Sequence, residues 1–322
     1  MSNPLFGKRP HIAALLIDIS GTLHIGRNPT PGAVKAFHRL GELSIPFRLC
    51  SNTSKESSAS LIKRLGSMGF NILDTSGSTR GTSDAGDKAG SQRLVWTSIG
   101  AVAQVIMDMG LKEPFLLLSD SARQEVIDML QSRKAARDTD SSGPRYDSVV
   151  IGLAPGSFDY SHLNAAFRVL KGENIPDLEV GSSKGLPLIA THKAKYIQTE
   201  DGLSLGPGPF VAALEHASGV TAHVVGKPTK DFFQMVINDF GGQIPKQNIN
   251  GSGRIAMIGD DVESDLGGGA LELGLWRILV KTGKYRTGDE KRAGLVPPDE
   301  VFESFAGFVD SLSLSQKDRM QD

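Results

Sequence analysis

The sequence predicts an α/β protein built around parallel strands, and three observations predict it. Short apolar runs alternate along the chain with longer segments whose apolar residues recur at helical spacing. Runs such as Ala14 to Ile17 are apolar throughout rather than alternating, as expected of strands covered on both faces. Several of these runs stop at small polar or charged residues, and open α/β sheets bind their ligands just beyond the carboxyl ends of strands.

The chain of 322 residues is long enough for one large domain or two moderate ones. Thirty-five Lys and Arg against 36 Asp and Glu leave no overall charge to draw it to nucleic acid or to a membrane, so neither is expected as a partner. The single cysteine, Cys50, excludes an intramolecular disulfide framework and suits a reducing compartment. Met1 to Pro10 lack the apolar core of a signal peptide, and no stretch approaches membrane-spanning length. A soluble protein of the cytoplasm is the expectation.

Taken in order, Ala14 to Ile17 lead to Asp18, two further residues, and then Gly21 and Thr22. Gly21 lets the chain turn back, and the Thr22 hydroxyl can tie the loop down; Asp18 is then either an ordinary Asp-Gly turn residue or a reactive carboxylate at a strand end. Pro31 and Gly32 introduce a helix, Ala33 to Leu43, with Val34, Phe37 and Leu40 on one face. The next strand, Ile45 to Cys50, ends in SNTSKES, and a helix follows from about Lys55 to Met68. Ser51, Asn52 and Thr53 can offer donors to an anion, or can cap that helix, which is the commoner task of such residues.

Residues 74–93 are rich in Ser, Gly, Thr and Asp and read as a surface insertion with no core of its own. Residues 132–146 and 172–185 read the same way. Between and after them, Val95 to Thr97, Phe115 to Leu118, Val149 to Leu153 and Pro187 to Thr191 read as strands. Ala101 to Met109, Gln124 to Leu130, Tyr160 to Leu170 and Val211 to Ala217 read as helices, the last opened by GPGPF and closed by Gly219. His223 to Val225 leads to Gly226, Lys227 and Pro228. After the helix Phe232 to Phe240 come the strand Ile255 to Ile258, then Asp260, Asp261, Glu263 and Asp265. Trp276 to Val280 is the final strand, and Phe302 to Leu312 reads as a closing helix.

Four strands thus end in groups suited to one site: Asp18, then Ser51 and Asn52, then Lys227, then Asp260 with Asp265. If these strands are parallel neighbours, the groups converge along one sheet edge. Carboxylates gathered there repel unless a cation lies between them, and hard oxygen ligands select Mg²⁺ over a transition metal. Lys227 can neutralise a phosphoryl oxygen. Metal, lysine and hydroxyl donors around a carboxylate make a site for phosphoryl transfer, in which the carboxylate can itself be the nucleophile.

DISGTLH, CSNTSKES, VVGKP and MIGDDVESD resemble, in order, the four signature motifs of the haloacid dehalogenase superfamily, and the long segment between the second and third resembles the large cap of its NagD-like branch. The resemblance implies a Rossmann-like core with a parallel sheet, formed from residues 1–110 and 222–322, and an inserted α/β cap of the C2 type over residues 111–221. It also implies that Asp18 is the nucleophile and a Mg²⁺ ligand, with the carbonyl of Ser20 and the carboxylate of Asp260 as further ligands and Asp265 beside them. Ser51, Asn52 and Lys227 would hold the phosphoryl group of a small phosphorylated substrate; the role of Asp261 stays open. In the cap, His192, Lys193 and Lys195 are candidates for contacting substrate, or are surface residues of a hairpin. Pairing of two copies through the cap occurs in some relatives.

One departure from the superfamily pattern matters. Most of its phosphatases carry a second Asp two residues after the nucleophile as general acid, and here that position is Ser20, a poor proton donor near neutral pH. General acid–base assistance is worth ~10²–10⁴-fold in rate. Three functions follow: a phosphatase slow on alkyl esters, a regulatory or binding protein that is phosphorylated with little turnover, or a scaffold with vestigial motifs.

Overall fold

The computed structural model describes residues 9–43, 45–72, 93–131, 146–173, 185–199, 201–244 and 253–319. Apart from their end residues, the three polar insertions lie outside them. The first part of the chain forms β1 (His11–Asp18), β2 (His24–Ile25), β3 (Asn28–Pro29), α1 (Ala33–Glu42), β4 (Phe47–Ser51), α2 (Ser58–Ser67) and β5 (Val95–Thr97). Next come α3 (Ser98–Asp108), β6 (Pro114–Leu117), α4 (Asp120–Gln131), β7 (Ser148–Ile151), α5 (Tyr160–Leu170) and β8 (Leu188–Ala190). They are followed by β9 (Tyr196–Thr199), β10 (Gly202–Leu205), α6 (Gly208–Ser218), β11 (His223–Val224) and α7 (Lys230–Asp239). The chain closes with β12 (Gly253–Gly259), α8 (Gly269–Glu272), β13 (Trp276–Val280), β14 (Glu300–Phe302) and α9 (Phe305–Arg319). These elements form two compact units, one from Met1–Ser51, Ile62–Trp96 and Pro228–Asp322, the other from Asn52–Leu61 and Thr97–Lys227.

The first unit is organised on a six-stranded sheet of order β14-β13-β12-β1-β4-β5. β1 lies inside it, parallel to β12 on one side and to β4 on the other. Ala14 to Ile17 have no solvent exposure, which is why the run carries no alternation. Helix α1 buries Ala33, Ala36, Phe37 and Leu40, so its inward stripe includes Ala33 and Ala36 where the apolar pattern suggested Val34. The Phe37 ring meets those of Phe47 and Phe70 edge-on, with centroids 5.5 Å apart in each case. Gly32, at φ 73°, starts this helix within 3.1 Å of the Ala306 methyl when a Cβ is built on it, so α1 enters directly against α9.

At the far edge, the sequence reading of one helix from Phe302 gives way to two elements. Phe302 ends strand β14, and the helix starts only at Phe305. The strand opens on an acid, Glu300, buried to 1% exposure. Its Oε1 accepts from Trp276 Nε1 and from Arg9 Nε, both at 2.7 Å. A buried carboxylate is tolerable only with such partners. Both come from distant segments, so the three-residue strand is invisible as an apolar run.

The second unit has its own four-stranded sheet, β11-β8-β7-β6, with parallel pairing throughout. Leu117, Val149, Ile151, Leu188 and Ala190 from the strands pack with Ala166, Val169 and Leu170 of α5 and with Val211 and Leu214 of α6. Phe158 and Phe210 stack with centroids 3.9 Å apart. Asp159 caps α5, its Oδ1 accepting from His162 N at 2.9 Å. Gly219 at φ 76° ends α6. A two-stranded antiparallel ribbon, β9 with β10, precedes that helix.

This unit also corrects the expected strand order. The strand leading to Lys227 does not join the sheet of Asp18. It is the two-residue β11, paired with β8 through His223↔Ile189 and Val224↔Ala190, and the ladder continues as Val225 and Gly226 N–H donate to Ala190 and Thr191 carbonyls. Among the described residues no helix is long and apolar enough to cross a membrane.

The packing of α5 gives a stability prediction. Leu170→Ala removes a side chain with no exposure from the middle of the second unit's core and should cost about 2–5 kcal/mol. Tyr160→Ala, at the 84% exposed start of the same helix, should cost within about 0.5 kcal/mol. Urea unfolding followed by circular dichroism checks the pair, and equal effects would contradict the assigned face.

Candidate active site

Asp18 is the last residue of β1, and the register Asp18↔Cys50 and Ile17↔Ile258 brings the ends of β4 and β12 level with it. Beyond the strand the chain must reverse at once. Gly21 does this at φ 100°, its N–H donating to the His24 carbonyl at 2.7 Å. The Thr22 hydroxyl donates to Asp18 Oδ2 at 3.1 Å, orienting the carboxylate from the turn that follows it. Next to β1, strand β12 ends in Gly259 and delivers Asp260. A turn of chain then brings back Asp265, whose Oδ2 accepts from Asp261 N–H at 3.2 Å. The carboxylates of Asp18, Asp260 and Asp265 come within 4.8 Å of one another, each 5% exposed or less.

Space for this cluster exists because three glycines surround it. A Cβ on Gly21 or Gly283 would strike the Asp260 carboxylate, and one on Gly259 would strike Asp265. Gly283 belongs to the loop after β13, which closes over the acids. Thr282 Oγ1 donates to the Gly21 carbonyl at 2.6 Å, and Lys284 N–H donates to Asp260 Oδ2 at 2.6 Å. Lys284 Nζ reaches Asp261 Oδ2 at 3.1 Å, and Asp261 Oδ1 accepts from Glu263 and Ser264 N–H, both at 3.0 Å. Asp261 is therefore tied into its own turn and lies outside the trio.

Electrostatics follow from the geometry. Burial, and then the neighbouring Asp18 and Asp265 carboxylates, push the Asp260 carboxyl well above its ordinary range, against the opposing N–H and charge of Lys284. Burial alone would also raise Asp261, but the Lys284 ammonium and the N–H groups of Ser264 and Glu263 outweigh it and hold this carboxyl below its usual value. Burial would lower Lys284; Asp261, Asp260 and Asp265 outweigh it in turn and hold the ammonium above its usual value. Three buried oxygen donors that repel one another are a donor set a hard divalent cation fits.

The other residues singled out in the sequence fall in different places. Ser51 ends β4 with 1% exposure, one residue beyond the partner of Asp18. Ser20 is exposed in the turn after β1. Asn52 and Lys227 belong to the second unit, which brings them together. Asn52 Oδ1 accepts from Lys227 N–H and Asn52 Nδ2 donates to the Lys227 carbonyl, both at 2.8 Å. His192 is buried just after β8, with Nδ1 accepting from Ala194 N–H at 3.3 Å, so it is no surface hairpin residue. Lys193 is exposed and paired with Glu215 of α6 at 2.7 Å, and Lys195 is exposed. Sequence reasoning missed Thr282, Gly283 and Lys284. Their signal was present, because LVKTGKYR is another buried strand that ends in a hydroxyl, a glycine and a charge.

Such a cluster can hold a cation beside the Asp18 carboxylate at the end of β1. Residues 15–130 match the family model for haloacid dehalogenase-like hydrolases, and residues 224–308 match a second, HAD-hydrolase-like model. The chain is 39% identical over 301 residues to haloacid dehalogenase-like hydrolase domain-containing protein 2 of Pongo abelii, covering 94% of this chain and 96% of that protein. It is 32% identical over 312 residues to the human phospholysine phosphohistidine inorganic pyrophosphate phosphatase, covering 95% and 97%. Among solved structures, a 4-nitrophenylphosphatase from Thermotoga maritima shares the fold, with a TM-score of 0.70 at 24% identity over 93% of this chain and 97% of that one. The chain belongs to the haloacid dehalogenase-like hydrolase family.

Proposed function

We propose that this hydrolase is a Mg²⁺-dependent phosphatase that acts on a small phosphorylated compound through an aspartyl-phosphate on Asp18. The observation that carries the reading is the buried trio of Asp18, Asp260 and Asp265, with Asp18 at the end of a parallel strand. Family membership supports it, as does the word phosphatase in the name of a relative 32% identical along nearly the whole chain.

In this reading the Asp18 carboxylate attacks phosphorus, an oxygen–phosphorus bond forms and the bond to the leaving group breaks. Thr22 keeps the carboxylate aligned throughout. Water then attacks the acyl phosphate and releases inorganic phosphate, regenerating Asp18. Ser51, Asn52 and Lys227 hold the phosphoryl oxygens, with the lysine ammonium balancing their charge. A Mg²⁺ ion held by Asp18, the Ser20 carbonyl and Asp260, with Asp265 beside them, would supply charge stabilisation to the phosphoryl group. Residues 111–221 act as the cap, His192, Lys193 and Lys195 contact substrate, and the protein works in the cytoplasm as a homodimer paired through that cap. The second reading, a phosphorylated regulatory or binding protein with little turnover, is favoured by one feature, the serine at position 20.

Asp18→Asn decides between chemistry and scaffold. It preserves size but removes the nucleophile, so turnover of p-nitrophenyl phosphate should fall to background while circular dichroism stays that of the parent. Near-normal turnover in the folded variant contradicts the assignment. If the parent takes up one phosphate per chain and does not turn over, the regulatory reading replaces it.

Ser20 makes the substrate prediction. With no acid to protonate a departing alkoxide, alkyl esters should turn over slowly, while aryl and acyl phosphates, pyrophosphate and protonated phosphoramidates need less help. Ser20→Asp should raise the ratio of alkyl-ester to aryl-phosphate turnover, by up to the ~10²–10⁴-fold that general acid catalysis supplies. A variant that binds Mg²⁺ normally and shows no rise in that ratio would remove the missing acid as the limiting factor.

A further inference from the structure

The loop after β13 has more internal bonding than a connector requires. The Arg286 guanidinium donates to the carbonyls of Gly283, Lys284 and Tyr285 at 3.3, 3.2 and 2.9 Å, drawing the loop round its own side chain. Arg286 N–H donates to Asp289 Oδ2 at 2.7 Å, and the Tyr285 hydroxyl donates to Glu290 Oε2 at 2.8 Å. A loop held this way presents fixed groups to its neighbours. It presents three to the acidic turn and to the turn after β1: the Lys284 N–H to Asp260, the Lys284 ammonium to Asp261, and the Thr282 hydroxyl to Gly21. Arg292 adds an outer contact to Glu263 at 3.4 Å.

The two acids receive different treatment from one residue. Asp260, a member of the trio, takes a neutral backbone donor on one oxygen. Asp261, its sequence neighbour, takes the full charge of the ammonium. Without that ammonium the turn would present one more net negative charge, held only by the Glu263 and Ser264 N–H groups, beside a trio already crowded with negative charge, and like charges so close are costly in a poorly solvated space.

We propose that Lys284 is a positioning residue for the cation site, its backbone N–H fixing the Asp260 carboxylate and its ammonium occupying Asp261, so that only the trio faces the cation. The inference rests on reading that trio as a cation site. It makes the two partners opposite in effect. Removing the ammonium leaves Asp261 as an extra negative charge and should tighten cation binding. Removing the Asp261 charge leaves the ammonium unopposed beside Asp260 and should weaken it.

The test is calorimetric titration of the full chain with Mg²⁺ alone, without substrate. Lys284→Met should bind Mg²⁺ roughly tenfold more tightly and Asp261→Asn roughly tenfold more weakly, the scale of coupling between groups in one charge network. Lys284→Arg, which keeps the charge, should restore the parental affinity, and the double variant Lys284→Met/Asp261→Asn should return close to it. A loss of packing alone would weaken binding in every variant and would show no such reversal. Asp261→Asn keeps the turn's acceptor for Glu263 and Ser264 N–H, so its arm stands even if Lys284→Met does not fold. Unchanged affinity in the folded variants, or a double variant that behaves as Lys284→Met does, overturns the role of Lys284 alone. Parental protein that binds no Mg²⁺ overturns the cation-site reading together with it. The expected pattern in a protein without phosphatase turnover supports the role of Lys284 and counts only against the proposed reaction.

Discussion

Everything at the sheet edge follows from confining three carboxylates to one poorly solvated space. Two like charges 4 Å apart cost about 4 kcal/mol even at the moderate screening found near a protein surface. The parallel register of β1 and β12 nonetheless brings Asp18 and Asp260 level, and the turn after β12 folds Asp265 back on them. Several local features can be read as responses to this constraint. Glycine stands where any side chain would press on a carboxylate, at 21, 259 and 283. Donors come from the backbone and from hydroxyls, Lys284 N–H and Thr22 Oγ1, which add no bulk.

The second unit solves a different problem with the same economy. Its β11 is only two residues long, and the ladder that continues from it stops at Gly226 N–H, one residue short of Lys227. Asn52, 175 residues earlier, supplies what the strand lacks. Its amide donates and accepts as a peptide group would, and so fixes the backbone of Lys227 at both polar atoms. A side chain at Gly226 would run into Asn52 Oδ1, the Thr191 carbonyl and the Ser98 Cβ. A residue that reads in sequence as a helix cap is thus a surrogate strand neighbour.

How much of this was legible depends on whether the determining partners were local. β13 was read to the residue, and α5 as well, because a buried run and a capped amphipathic stripe announce themselves. Asp18 and Asp260 were legible because each follows such a run, and Asp265 because it lies in the same acidic stretch a turn further on. β14 was not, since Glu300 is held inside by Arg9 and Trp276 from other parts of the chain. The sheet that would take the strand before Lys227 was not legible either, because two residues carry no pattern that distinguishes one partner strand from another. Lys284 was overlooked for a different reason. Its contribution is divided between a backbone N–H, which any residue possesses, and a side chain whose partner lies 23 positions away.

The placement of Trp276 beside Glu300 has an optical consequence. The chain has two tryptophans, and both Trp96 and Trp276 fall within the first unit. Three of the four tyrosines, Tyr146, Tyr160 and Tyr196, fall within the second. Emission excited at the red edge of the indole band therefore comes from the sheet that carries Asp18, and the other sheet is silent in it. The indole signal thus marks the first unit alone with no probe introduced, whereas the phenolic signal of the second is shared with Tyr285 of the first.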